Sequence, residues 1–260
     1  MSRLRLRLRR GSPKRNAKAA GPPGEPDPSA GSGSPRAESR GDKARLTPDM
    51  HFTLSPDLAH VVRPGVLWLE GATVVEREHR MDAPLAAAEA AVRMNPPAEV
   101  TAVRTMYKRV GIDPTKTRPS SEALLRRVRR GDPLPRINAM VDVCNWCSFE
   151  FQLPYGLYDA DHIDGDVEMR IGRDGESYAG IRKDDVHVAG RIALVDRRGP
   201  FGNPTSDSAR TMVTTATTRA LLVVFAPAGF DVARLTHVLD VTSQRMHEFT
   251  GAAESSRLLL

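Results

Sequence analysis

Between Asn203 and Thr211 the chain reads Asn-Pro-Thr-Ser-Asp-Ser-Ala-Arg-Thr, a loop dense in polar side chains. Ser206, Asp207 and Arg210 are of the types that bind an ammonium together with a carboxylate or phosphate. The other reading is a solvated connection in which Asp and Ser fix turns. Cys144 and Cys147 have the C-x-x-C spacing of redox sites and of half a zinc site. They are the only two cysteines, whereas a structural zinc site takes four ligands, so the pair reads as core packing. The seven histidines are scattered without ligand spacing, and no metal or cofactor is expected. Arg126, Arg127, Arg129 and Arg130 flank Val128 in a basic run that either contacts phosphates or simply faces solvent. The chain carries no phosphate-binding P-loop, dinucleotide fingerprint or nucleophile elbow.

Periodicity identifies the elements that must position these residues. Val66 to Val75 has strand composition, with Gly71 as a bend point. Leu85 to Met94 is Ala-rich and helical, closed by Asn95-Pro96-Pro97, and Val100, Val103, Tyr107 and Val110 recur at helical spacing before Gly111. Ser120 or Ser121 caps a further helix that buries Leu124, Leu125 and Val128 and ends at Gly131 and Pro133. After Ile163 short strands follow at Val167–Ile171, Val186–Val188 and Ile192–Val195, the last an unbroken apolar run suited to cover on both faces. A Thr-rich stretch leads into a strand at Leu221–Phe225, and Val232, Leu235, Leu239, Met246 and Phe249 predict a closing helix. Helices in the N-terminal half, a sheet in the C-terminal half and a C-terminal helix predict a single mixed α+β domain.

The formal charge of +6 is unevenly distributed. Residues 1–48 hold 12 Lys or Arg against 4 Asp or Glu, which leaves the remainder slightly acidic. This Arg/Pro/Gly/Ser-rich stretch buries too little apolar surface to offset chain entropy, so residues 1–48 are expected to be a disordered basic tail and residues 50–250 the folded domain. The tail reads either as a nucleic-acid arm or as a nonspecific extension, including translation from a start upstream of Met50. It lacks the apolar run of a secretory signal. No segment has the apolar length needed to cross a bilayer. Hydrophobic content of 40% and charged content of 27% suit a globular core in the cytoplasm.

One stretch adds information that composition does not hold. Residues 118–164 contain the steps Ile137-Asn138, Val141-Asp142 and Cys144-Asn145-Trp146, then Pro154-Tyr155-Gly156-Leu157-Tyr158-Asp159. This order resembles the B3/B4 domain of the bacterial phenylalanyl-tRNA synthetase beta subunit, in which a basic helix leads to Ile-Asn, Val-Asp and Thr-Asn-aromatic steps and a Pro-x-His-x-aromatic-Asp turn. The likeness continues through Gly165 to Arg170, Gly175-Glu176 and Ile192 to Asp196, covering about residues 100 to 227. It includes no aminoacylation core, so the chain resembles a freestanding B3/B4 domain and not a complete synthetase.

In that family the domain hydrolyses tyrosine wrongly attached to the phenylalanine tRNA. The resemblance implies ester hydrolysis by an oriented water in a narrow pocket, with Asn145 at the family's pocket Asn and Cys144 at its Thr. Asn138 and Asp142 match its Asn and Asp and either line the pocket or tie turns together, and Tyr155 and Gly156 fall in its turn. Two positions depart: the family's turn His is Gly156, which enlarges the expected pocket, and its Glu is Val224. Tyrosine-specific editing by the family's own groups is therefore not expected. The first functional reading is an RNA-associated protein that binds aminoacyl-tRNA or its aminoacyl group and hydrolyses mischarged tRNA in trans. The alternatives are a non-catalytic amino-acid or small-molecule binding module and a purely structural or protein-interaction domain. The oligomeric state is not legible.

Overall fold

Residues 42–47, 49–95, 101–182 and 184–260 are described by the computed structural model. The first two strands pair antiparallel: Asp42–Thr47 (β1) lies along Met50–Leu54 (β2), whose Met50, Phe52 and Leu54 are buried while His51 and Thr53 are half-buried. That alternation is what a strand with one covered face requires. Val62–Glu70 (β3) is buried along nearly its whole length and ends where Gly71 adopts φ 72°.

Four helices follow: Asp82–Met94 (α1), Thr101–Arg109 (α2), Ser120–Arg129 (α3) and Ala139–Phe151 (α4). The last is apolar around most of its circumference, as a core helix must be. Asn138 starts it by accepting a hydrogen bond from the Val141 amide at 3.0 Å, and Gln152 ends it in the left-handed conformation.

The C-terminal half holds Tyr155–Asp159 (β4), Val167–Ile171 (β5), Ser177–Ala179 (β6), Asp185–His187 (β7), Ile192–Asp196 (β8) and Gly199–Asn203 (β9). Ser206–Asp207 (β10), Ala220–Pro227 (β11), Val232–Thr250 (α5) and Ala253–Leu259 (β12) complete it. One sheet runs β1-β2-β5-β8-β9-β10, parallel only between β2 and β5; a second runs β12-β3-β11-β4, antiparallel throughout; β6 and β7 form a separate hairpin. A common apolar core that includes Phe52, Leu67, Trp68, Phe149, Leu222 and Leu239 joins both large sheets to the helices, so the described residues form one α+β domain.

The structure moves several boundaries. Among the described residues a paired strand already precedes Met50: β1 contributes Leu46 as a buried aliphatic and is held by pairing with β2. A strand follows the closing helix: Ala-Glu-Ser-Ser-Arg-Leu-Leu is a polar edge strand fixed by β3. No Ser side chain caps α3. Pro119 precedes it, and the Ser120 hydroxyl donates instead to the Pro204 carbonyl. The Pro154 turn passes at once into β4, and the 203–211 loop holds the turn from β9 and strand β10. Residues 1–41 and 48 of the expected 1–48 tail, the Pro96-Pro97 stop and Val100 lie outside the described residues.

Candidate functional site

Helix α4 presents Val141, Cys144, Asn145 and Ser148 to a cavity of about 430 Å³. These are the i, i+3, i+4 and i+7 positions of one helical stripe. Two of the helix's other polar residues are used by the fold. Asn138 is the N-cap and donates to the Val213 carbonyl. Asp142 is fully buried, paired with the Arg136 guanidinium at 2.6 Å and bonded to the Ile137 amide at 2.7 Å. Neither lines the cavity. The Ser148 hydroxyl is spent on the Leu153 carbonyl. The Asn145 amide has no hydrogen-bond partner among the described residues and remains available to a ligand.

The opposite wall comes from β10 and its turn. Asn203 accepts from the Thr205 and Ser206 amides, which builds the tight turn between β9 and β10. The Tyr107 hydroxyl on α2 and the Ser120 hydroxyl on α3 both donate to the Pro204 carbonyl and anchor that turn. Thr205, Ser206 and Asp207 thereby face the cavity that Asn145 faces. Asp207 carries the site's negative charge beside buried neighbours. Burial first, and then the Asp207 charge, push the Cys144 thiol well above its usual range. The same two causes act on the Tyr158 phenol. Cys144 is thus a neutral thiol on the cavity wall, while Cys147 packs behind it within reach of Arg245 and is held neutral by burial.

Strand β4 forms the floor through Tyr155 and Leu157. The Tyr155 ring lines the space while its hydroxyl meets Thr242 on α5 at 3.0 Å. Successive side chains on a strand point to opposite faces, so Gly156 does not line the cavity with them. Its face is filled by the Tyr158 ring, whose buried hydroxyl lies near the Asp207 carboxylate but outside normal hydrogen-bond geometry. The expected enlargement at Gly156 is therefore absent. Val224 is fully buried in β11, opposite Tyr155 in the sheet register, and is not itself among the residues that line the cavity.

Arg210 also leaves the candidate set. Its guanidinium forks onto both Asp196 carboxylate oxygens, at 2.7 and 3.0 Å, and donates to the His162 carbonyl. The cavity's arginine is Arg182, exposed between β6 and β7, which the sequence did not single out. Of the arginines on α3 and at its C-cap, Arg127 is tied to the Pro133 carbonyl, and Arg126, Arg129 and Arg130 are exposed. Val141, Cys144 and Ser148 were missed as cavity residues, although their helical register with Asn145 is the signal that marks them.

The cavity-lining residues all fall within residues 102–257, the span that matches the family model for the B3/4 domain. The phenylalanine–tRNA ligase beta subunit of Paramagnetospirillum magneticum is 31% identical over 90 residues, 30% of this chain and 11% of that protein. The corresponding subunit of Brucella abortus is 30% identical over 86 residues, 33% of this chain and 11% of that protein. The aligned segments thus span about a tenth of these relatives' length. A solved N-terminal fragment of the phenylalanyl-tRNA synthetase beta subunit from Pyrococcus horikoshii aligns over 86% of this chain and 58% of its own, at 12% identity and a TM-score of 0.48. A match extending from α2 to β12, and taking in α4, β4 and β10 around the cavity, makes the chain a member of the B3/4 domain family.

Proposed function

We propose that this protein binds aminoacyl-tRNA in trans, in the cytoplasm, and takes the aminoacyl group into the cavity between α4 and β10. The observation that carries the reading is that Asn145 and Asp207, an amide donor and a carboxylate from distant parts of the chain, line one cavity with an apolar wall. Asp207 pairs with the α-ammonium of the aminoacyl group. Asn145 donates to the ester carbonyl, and Val141, Leu157 and Val213 surround the side chain. Arg126, Arg129 and Arg130 extend from about 9 to 15 Å along α3 from the cavity residue Ser120, where exposed guanidinium groups meet phosphates in a salt-dependent way.

Hydrolysis in trans is the second step this site supports. A water oxygen bonds to the ester carbonyl carbon and gives up a proton, the bond to the ribose oxygen breaks, and that oxygen takes up the proton, leaving the free amino acid and the ribose hydroxyl. The Asn145 amide stabilises the charge developing on the carbonyl oxygen. Among the described cavity residues Asp207 is the sole carboxylate and no histidine is present. A carboxylate engaged with an ammonium is a poor base, and this favours binding with slow turnover over rapid editing.

Filter binding of aminoacyl-tRNA against the same tRNA uncharged tests the binding step, and a deacylation screen across mischarged tRNAs tests the second. The charged form is expected to bind more tightly, and tyrosyl-tRNA to be deacylated slowly. Equal affinity for charged and uncharged tRNA would remove the cavity from the account.

A further inference from the structure

We propose that Arg182, at the tip of the β6–β7 hairpin, is the phosphate contact of the cavity's ligand, so that the site takes an aminoacyl nucleotide and not a free amino acid. The inference rests on the reading that the cavity holds an aminoacyl group.

The two charges of the cavity sit at different depths. Asp207 is half-buried, whereas Arg182 is exposed. Both belong to one connected structure. The Ala209 amide donates to the Ala179 carbonyl at 2.9 Å, Gly180 bridges to Ser208, and the Tyr178 hydroxyl donates to the Ser206 carbonyl. The hairpin is thus stitched to the segment that carries Asp207. Arg182 adopts φ 53°, and among the described residues only Gln152 shares that region without being glycine. Its guanidinium has no ion pair with a described residue.

A free amino acid carries its ammonium and carboxylate on one carbon, and both arrive at the same depth. In an aminoacyl nucleotide the carboxylate has become a neutral ester, and the next anion is the phosphate beyond the ribose. That order of charges, cation inside and anion outside, is the order of Asp207 and Arg182. The planar guanidinium fork matches phosphate geometry. Around the rim Ile137 is 56% exposed and Met212 37% exposed, giving an apolar surface for the ribose and base that a free amino acid would leave uncovered.

The test uses three probes by calorimetric titration on the full chain: 3′-(L-phenylalanylamido)-3′-deoxyadenosine, its 5′-phosphate, and L-phenylalanine, with the leucyl analogues in parallel. The wild-type protein is expected to bind the 5′-phosphate roughly fivefold more tightly than the nucleoside, as one charge-assisted contact at an exposed site supplies. Arg182→Gln is expected to abolish that gain and Arg182→Lys to keep part of it, both at an unaltered melting temperature. A phosphate gain that survives Arg182→Gln overturns the proposal. So does a variant that weakens L-phenylalanine without changing the phosphate gain. Nucleoside binding with no phosphate gain in the wild-type protein defeats this inference alone, whereas no binding of either nucleoside or phosphate defeats the aminoacyl reading and this inference with it.

Discussion

A β-carbon placed on Gly156 would stand 2.1 Å from the Tyr158 hydroxyl oxygen, and the same oxygen lies 2.3 Å from a β-carbon placed on Gly202. Tyr158 therefore occupies the space that a side chain at position 156 would need, and glycine is required on both β4 and β9 for the ring to lie between them. The glycine in β4 reflects packing and leaves no extra room for a ligand.

Gly156→Ala is accordingly expected to destabilise the domain by about 1–3 kcal/mol, the usual cost of overpacking a filled core. Gly156→His is expected to do more damage and to restore no hydrolysis. Thermal melting checks both, and Gly156→Ala melting with the wild-type protein would show that Tyr158 yields at no cost.

The polar residues that start α4 act on stability and leave the cavity intact. Asp142→Asn breaks a buried ion pair with Arg136 and is expected to cost about 3 kcal/mol or more. Asn138→Ala removes the helix cap and is expected to cost about 1 kcal/mol. Ligand binding measured well below the melting point is expected to match the wild-type protein in both. Loss of binding at an unchanged melting temperature would return these residues to the site.

Glu176 gives the fold an acid-sensitive contact. The Arg170 guanidinium, opposed in part by burial, holds its carboxyl down at about 2, against an ordinary value of 4.5. A lowered folded-state pKa stabilises above the unfolded value, and that contribution fades as pH falls from 4.5 towards 2. Glu176→Gln is expected to cost about 1–2 kcal/mol near neutral pH, allowing for solvent screening of a partly exposed pair. The gap between the two proteins should close across that acid window. A gap that stays constant to pH 2.5 in chemical denaturation would contradict the assignment.

Truncation separates the N-terminal extension from the first strand. Removing residues 1–38 is expected to leave the melting temperature unchanged, on the Arg/Pro/Gly/Ser composition of that stretch. Starting the chain at Met50 removes β1 with Leu46 and is expected to lower it by several degrees. Equal melting of both truncations would mean that β1 adds nothing to the sheet.

Elements whose own side chains carry a strong apolar period were legible in the sequence. The alternation in Val167–Ile171, the unbroken apolar run at Ile192–Val195 and the helical stripe from Val232 to Phe249 all appear as elements within a residue or two. Strands β1 and β12 were not legible, because edge strands with mostly polar side chains owe their existence to β2 and β3. The same distinction governs the site. Asn145 stood out through its neighbours in sequence, whereas Arg210 looked available because its partner Asp196 lies on another element. Arg182 was invisible, since only the placement of the β6–β7 hairpin against residues 206–209 brings it to the cavity.

The most direct test of the account is the affinity of the full chain for a non-hydrolysable aminoacyl-tRNA, measured beside uncharged tRNA with Asn145→Ala and Asp207→Asn. Both substitutions are expected to weaken the charged tRNA by about tenfold, the scale of a lost hydrogen bond to a charged or ester group, and to leave uncharged tRNA unaffected. Charged tRNA bound equally well by the wild-type protein and both variants would show that the cavity between α4 and β10 does not hold the aminoacyl group.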